Sequence, residues 1–272
     1  MNQRYRLLVI DIDGTLITRE GYISPENLEA LALARQAGLQ VAISTGRSLT
    51  SSRRFIRELG LDSPHIFFDG ALVSRDDAGD EIYARPIERT ILLEMIDFAH
   101  RYETDLELYS AEGYFSERET WSTSAHRRFF GSEPTIGELS RLTGNERIIK
   151  GALVVTGPEE AAGIARFAER FADRLYFSRV TTPAFPDITF INLLAPDTTK
   201  GAALEVLAAH LGLSLAEVAA VGDGQNDMSL LATAGLGIAM GNAQDELKDI
   251  ADHVTLDVDE HGLAAAIKEL LL

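Results

Sequence analysis

Three observations predict an α/β protein with a parallel-sheet core and an inserted second domain. Strand-length apolar runs alternate with helical patterns at both ends of the chain, the middle breaks that alternation, and polar groups recur where strands end. The first strand is the run Leu7-Leu8-Val9-Ile10. Ser24-Pro25 then supplies an N-cap and a proline at the first helical position, ahead of Leu28, Leu31, Ala34 and Arg35 at helical spacing and a stop at Gly38. A second strand, Leu39 to Ile43, ends in Ser44-Thr45-Gly46-Arg47, and a helix follows to Leu59-Gly60. A third strand is expected at His65 to Phe68. Repeated βα units of this length imply parallel strands joined by right-handed crossovers.

The same grammar returns late in the chain. It predicts a helix over Gly201 to Leu211, strands at Val218 to Gly222, Leu236 to Met240 and His253 to Leu256, helices from about Asp227 and over Asp245 to Ala251, and a final helix. Between the halves lie helix candidates at Glu88 to Tyr102 and Pro158 to Phe171. Around them fall strand candidates at Leu106 to Tyr109, Tyr114 to Glu117, Ile148 to Val155, Leu175 to Val180 and Ile188 to Leu193, with Ala111-Glu112-Gly113 as a hairpin turn. The expected division is therefore a discontinuous core, residues 1–84 and 190–272, and an inserted α+β domain, residues 85–189.

Composition narrows the function. The 272 residues carry 42 acidic against 25 basic side chains, a formal charge of −17. Such a field repels nucleic acid and anionic membrane, and it also repels phosphorylated small molecules unless the site supplies local positive charge. The chain contains no cysteine, which removes disulfide scaffolds, thiolate catalysis and Cys-based zinc sites. Met1 to Arg6 lead straight into the first strand without a signal-peptide core, and no apolar stretch reaches spanning length, so a soluble cytoplasmic protein is expected.

The most informative stretch is Val9-Ile10-Asp11-Ile12-Asp13-Gly14-Thr15-Leu16. Residues i and i+2 of an extended chain share a face, so Asp11 and Asp13 can address one ligand from the carboxyl end of a strand, where open α/β sheets bind ligands. A calcium loop begun at Asp11 fails, because its sixth and twelfth positions are Leu16 and Tyr22 rather than Gly and Glu. A polar turn would be the favoured account of an isolated D-x-D-G. Three further groups change the odds. Thr45 follows the second strand, where a hydroxyl can donate to a phosphate oxygen. Asp223 and Asp227, in Gly222-Asp223-Gly224-Gln225-Asn226-Asp227, offer hard oxygen ligands suited to Mg²⁺. Lys200 opens a helix, against the preference of the dipole, which hints at a partner anion.

In this order the motifs resemble the phosphatases of the haloacid dehalogenase (HAD) superfamily, most of all the Cof-type branch with a large C2-type cap. The resemblance spans Asp11 to Leu16, Thr45-Gly46-Arg47, Asp69-Gly70-Ala71, Lys200-Gly201, Gly222 to Asp227 and Gly237 to Ala243. It implies a Rossmann-like core and a Mg²⁺-dependent phosphatase acting on small phosphorylated metabolites, sugar phosphates or phosphorylated cofactors. By that resemblance Asp11 attacks phosphorus to form an aspartyl-phosphate, while Asp13 protonates the leaving group and then activates water. Thr45 and Lys200 stabilise the phosphoryl group. Mg²⁺ is held by Asp11, the backbone carbonyl of Asp13 and Asp223, with Asp227 a ligand or a support, and Asn226 stands behind them. Substrate contacts are expected from Gly14, Thr15, Gly46, Arg47, Asp69, Gly70 and Asn192.

Two positions depart from the family pattern. Asp69 stands where Asn is usual, and Asn192 where an acidic residue is expected upstream of Lys200. If Asp69 faces the phosphate, its charge should weaken binding or alter metal occupancy. A phosphomutase of the same superfamily and a non-catalytic phospho-regulator are the alternatives; the intact Asp13 argues against the latter. The run Gly235 to Gly241 has the wrong spacing for a dinucleotide loop, and neither H-E-x-x-H nor G-x-S-x-G occurs. Tyr109, Tyr114, Phe115, Trp121, Arg127, Arg128, Phe129 and Phe130 are candidate pocket residues of the inserted domain, although most such aromatics are core.

Overall fold

The structure, a computed structural model, describes residues 4–76, 80–144, 146–182 and 185–272. The core begins with β1 (Leu7–Ile10), α1 (Pro25–Gln36), β2 (Gln40–Ile43), α2 (Leu49–Glu58), β3 (His65–Phe67), β4 (Leu72–Ser74) and β5 (Glu81–Ala84). The inserted domain holds α3 (Arg89–Arg101), β6 (Glu107–Tyr109), β7 (Tyr114–Ser116), α4 (Trp121–Ala125), β8 (Thr135–Ile136), α5 (Leu139–Leu142), β9 (Lys150–Val155), α6 (Pro158–Phe171), β10 (Tyr176–Thr182) and β11 (Phe185–Leu194). The chain returns to the core with α7 (Lys200–His210), β12 (Val218–Gly222), α8 (Met228–Thr233), β13 (Leu236–Ala239), α9 (Asp245–Ile250), β14 (His253–Val254) and α10 (Gly262–Ala266).

Five strands in the order β14-β13-β12-β1-β2 make an all-parallel sheet. Every residue of β1 and β12 is buried, as expected of central strands covered by helices on both faces. α1 starts as its sequence dictates: the Ser24 hydroxyl accepts from the Asn27 N–H at 3.2 Å and Pro25 occupies the first turn. The third expected strand does not join this sheet as a ladder. β3 forms an antiparallel three-stranded sheet with β4 and β5, tied to the core sheet by one parallel bridge, Ser44 to Ile66. The left-handed backbone of Phe68 and Asp69 and the positive φ of Gly70 turn the chain back at once, so no crossover follows β3.

The cap carries a six-stranded sheet in the order β10-β11-β9-β6-β7-β8, antiparallel except for the β7–β8 pair. α3 and α6 pack on one face through Met95, Phe167 and Phe171, with Leu193 of the sheet in the same cluster. The Ala111 to Gly113 turn closes β6 on β7, the Ser110 N–H donating to the Gly113 carbonyl at 3.0 Å. β11 keeps pairing with β9 as far as Leu193–Gly151, so this sheet runs past residue 190. An apolar strand pattern records burial, not which sheet the strand joins. Among the described residues, no helix is long and apolar enough to cross a membrane.

Candidate active site

Asp11 follows β1, Thr45 follows β2 and Asp223 follows β12, so the parallel sheet delivers all three at the carboxyl ends of adjacent strands. Lys200 comes from the start of α7, which the Thr199 hydroxyl caps by accepting from the Ala202 N–H at 3.1 Å. Its ammonium, 1% exposed as a residue, donates to Asp11 Oδ1 and Asp227 Oδ1, each at 2.6 Å. Asp11 Oδ2 has no hydrogen-bond partner among the described residues. Asp227 is fully engaged, since its Oδ2 also accepts from the N–H groups of Asp223 (3.1 Å) and Gly224 (2.9 Å). It shapes the acidic loop and fixes the lysine.

Asp223 is oriented from two sides. Its Oδ1 accepts from the Thr15 hydroxyl at 3.0 Å and its Oδ2 from the Asn242 amide at 3.1 Å. Asn242 also donates to the Gly14 carbonyl and accepts from the Val258 N–H, so one amide joins the first motif to the last. Gly14, at φ +85°, is required here, because a Cβ would lie 2.2 Å from Asp223 Oδ2. Asp13 is held by a fork, Arg47 Nε at 2.7 Å from Oδ2 and Nη2 at 2.5 Å from Oδ1. The Thr45 hydroxyl is buried and accepts from the Arg47 N–H at 3.2 Å.

Oxygens of Asp11, Asp223 and Asp227 lie within 4.8 Å of one another. Burial pushes Asp11 up; Lys200 opposes this, and Asp227, Asp223 and Asp13 push further. Burial also drives Asp223 up to about 7, with Asp227 adding to it. Burial alone would lower Lys200, but Asp11 and Asp227 outweigh it and hold the ammonium charged. Four carboxylates thus face the cations of Lys200 and Arg47. This excess of hard oxygen donors fits a divalent cation such as Mg²⁺, with Asp11 and Asp223 as the residues best placed to hold it.

The acids open onto a cleft of about 370 Å³ between core and cap, lined by Asp11, Asp13, Thr45, Gly46, Arg47, Asn192, Asp223 and Asn226 among others. Gly14, Thr15, Asp69, Gly70, Lys200 and Asp227 stand behind that surface. Asp69 does not present a free charge to the cleft. Its oxygens accept from Asn192 Nδ2 at 2.7 Å and Asn226 Nδ2 at 2.8 Å. Asp69 and Asn192, the two residues read as departures, are thus hydrogen-bonded to each other. Gly70 serves packing, since a Cβ would meet the Thr199 carbonyl at 2.2 Å.

Of the cap candidates, Tyr109 lines the cleft and stacks on Tyr114 at 4.7 Å; both hydroxyls donate to buried Glu107, at 2.8 and 2.9 Å. Phe115 is core, Trp121 is exposed, and Arg127 pairs with Glu119 and Glu133 away from the cleft. Arg128 does not line it, and the side chains of Phe129 and Phe130 lie outside the described residues. Sequence reasoning did not single out Glu107, His126, Lys150, Arg179 or the role of Asn242. A charge inside an apolar strand run, as in Leu106-Glu107-Leu108 and Ile148-Ile149-Lys150, was the available signal for two of them.

A capped α/β core with an acidic strand-end cluster, a buried lysine and a strand-end threonine defines a hydrolase built for phosphoryl groups. Residues 8–267 match the haloacid dehalogenase-like hydrolase family, and the chain belongs to it. It is a phosphoric monoester hydrolase of the Cof-type branch. Similar proteins include the phosphatase YwpJ of Bacillus subtilis, 29% identical over 98% of this chain and 100% of that protein. The HMP-PP phosphatase of Serratia proteamaculans is 30% identical over 90% of this chain and 87% of its own. The fold is shared with a haloacid dehalogenase-like hydrolase from Bacteroides thetaiotaomicron, at a TM-score of 0.86 and 24% identity, covering 98% of this chain and 99% of that one.

Proposed function

We propose that this chain is a Mg²⁺-dependent phosphatase that hydrolyses small phosphomonoesters, sugar phosphates or phosphorylated cofactors, through a phosphorylated Asp11. The observation that carries this reading is the position of Asp11, with one oxygen fixed by Lys200 at 2.6 Å and the other, beside the cleft, free of hydrogen bonds among the described residues. A bound Mg²⁺ would neutralise charge on the non-bridging phosphoryl oxygens and keep Asp11 ionised. Lys200 adds a second positive charge to the same oxygens, and the Thr45 hydroxyl donates to them.

Asp13 is the proton donor to the departing alkoxide and the base toward water in the second half-reaction. Arg47 holds both of its oxygens, so one arm of the fork must release as the ester oxygen arrives. Tyr109 of the cap packs on Phe68 of the core, ring centres 6.3 Å apart, and helps to exclude bulk water above the site. A panel of phosphate esters assayed with Mg²⁺ tests the reading. Asp11→Asn removes the nucleophile and should leave no turnover above background in a protein that still unfolds cooperatively; ordinary turnover in that variant would falsify the mechanism. Orthophosphate released without a bisphosphate activator separates hydrolysis from phosphomutase chemistry, and turnover lost in Asp13→Asn separates it from mere phosphate binding.

A further inference from the structure

The cap wall of the cleft carries charge of the opposite sign to the core wall. Among the described residues of the cap that line the cleft there is no Asp or Glu, in a chain with 42 acidic side chains. What the cap contributes is Lys150, Arg179, His126, Tyr109, Phe190 and Asn192, with small residues between. Lys150 projects from β9 and is 7% exposed. Its ammonium has three N–H donors, yet its one hydrogen bond among the described residues goes to the Gly46 carbonyl at 3.4 Å. It forms no ion pair among them; its other neighbours are the ring faces of Tyr109 at 4.5 Å and Phe68 at 5.5 Å.

The acids nearest to Lys150 are already committed. Asp69 accepts from two asparagine amides, and Glu107 from two tyrosine hydroxyls. Burial pushes the lysine down to about 8, only partly offset by Asp69 and Glu107. A buried ammonium without a counter-ion is costly, and the cost is recovered where a ligand supplies the missing charge. Arg179, on the edge strand β10, adds an exposed guanidinium at the rim of the same cleft, with no hydrogen bond or ion pair among the described residues.

We propose that the cap wall seats a second anionic group, a carboxylate or a phosphate, carried by the leaving-group part of the ester, with Lys150 as its principal partner. The inference rests on the phosphatase reading and names a substrate class within it: phosphomonoesters whose alcohol portion is itself anionic. The phosphoryl group to be cleaved lies against Asp11 and Lys200, and the second anion lies across the cleft on Lys150. Uncharged sugar hydroxyls would leave the Lys150 charge unmatched.

Matched ester pairs test this. 3-Phosphoglycerate against glycerol 3-phosphate adds a carboxylate, and fructose 1,6-bisphosphate against fructose 6-phosphate adds a phosphate. At least one pair should show kcat/KM higher by about tenfold for the anionic member, the usual worth of one charged hydrogen bond. Which pair responds identifies the anion. Lys150→Met should bring that ratio near one, and Lys150→Arg should keep most of it. Ratios near one for both pairs in the native protein, or a ratio that survives Lys150→Met, overturn the inference while leaving the phosphatase reading standing. If no ester turns over, that reading falls, and calorimetric titration of the same four compounds decides the seat by itself. Tighter binding of an anionic member that is lost in Lys150→Met upholds it; equal binding or none overturns it.

Discussion

At the scale of single residues, the Asp69–Asn192 pair is the most informative contact outside the acidic cluster. Asp69 adopts a left-handed backbone at φ +54°, which Asp and Asn tolerate better than other side chains. Both residues are buried, so Asp69 Oδ2 and Asn192 Nδ2 depend on each other, while Asp69 Oδ1 accepts from Asn226. Asp69→Asn alone leaves one acceptor oxygen for the two donating amides of Asn192 and Asn226 and should cost about 1–3 kcal/mol of stability. Asn192→Asp alone sets two carboxylates against each other and should cost about 3 kcal/mol or more. Combining them restores one donor and one acceptor in reversed order, and Asn226 can still donate to the residue at 69. Denaturant unfolding of the four proteins should place the double variant within about 1 kcal/mol of the native chain. Additive losses would mean that the pair is not a unit.

At the scale of elements, the parallel core was largely legible in the sequence because its strands are short, fully apolar runs punctuated by caps and glycines. β1, β12 and α6 lie where periodicity put them. β3 lies where the sequence put it but pairs chiefly with β4, because His65-Ile66-Phe67 reads equally well as a core strand or a hairpin arm, and the backbone reversal at Phe68 and Asp69 leaves no sequence periodicity. The acidic cluster was legible through its i, i+2 spacing and strand-end positions, whereas Lys150 was not, since pairing across the sheet decides what a strand residue faces. β3 carries a prediction of its own. His65 is fully buried, its Nδ1 accepting from the Ile43 N–H at 3.2 Å, and burial drives its pKa down to about 4. The unfolded chain binds this proton below about pH 6.5, and the folded one only near pH 4. Between those values the unfolded state holds more protons, so stability falls as pH drops through that window, by about 3 kcal/mol in all. His65→Asn keeps an acceptor for Ile43 and removes the titration. Its loss of stability between pH 6.5 and 4.5 should be smaller than the native protein's by about 2 kcal/mol, and an identical acid slope would remove His65 as the cause.

At the scale of the whole molecule, the acidic site joins pieces of chain that lie far apart in sequence. Asp11 belongs to the segment before the cap, and Asp223, Asp227 and Lys200 to the segment after it; β1 pairs with β12 across the break. A divalent cation held by Asp11 and Asp223 would therefore clasp the two halves of the core, and its effect should reach beyond activity. Any ligand of the folded state alone stabilises it in proportion to the logarithm of its concentration, by about 2.7 kcal/mol at a hundredfold excess over its Kd. Adding Mg²⁺ to chelator-treated protein should raise the unfolding midpoint progressively. Asp223→Asn should abolish that response, because the amide offers weaker donor oxygen and no charge, while an asparagine side chain can still accept from Thr15. Asp97→Asn, on the exposed face of α3, should respond to Mg²⁺ as the native chain does. A midpoint that rises equally in the Asp223 and Asp97 variants would place the cation elsewhere on this acidic surface, and a response confined to proteins that retain Asp223 would tie the closure of the divided core to the same carboxylates that face the substrate.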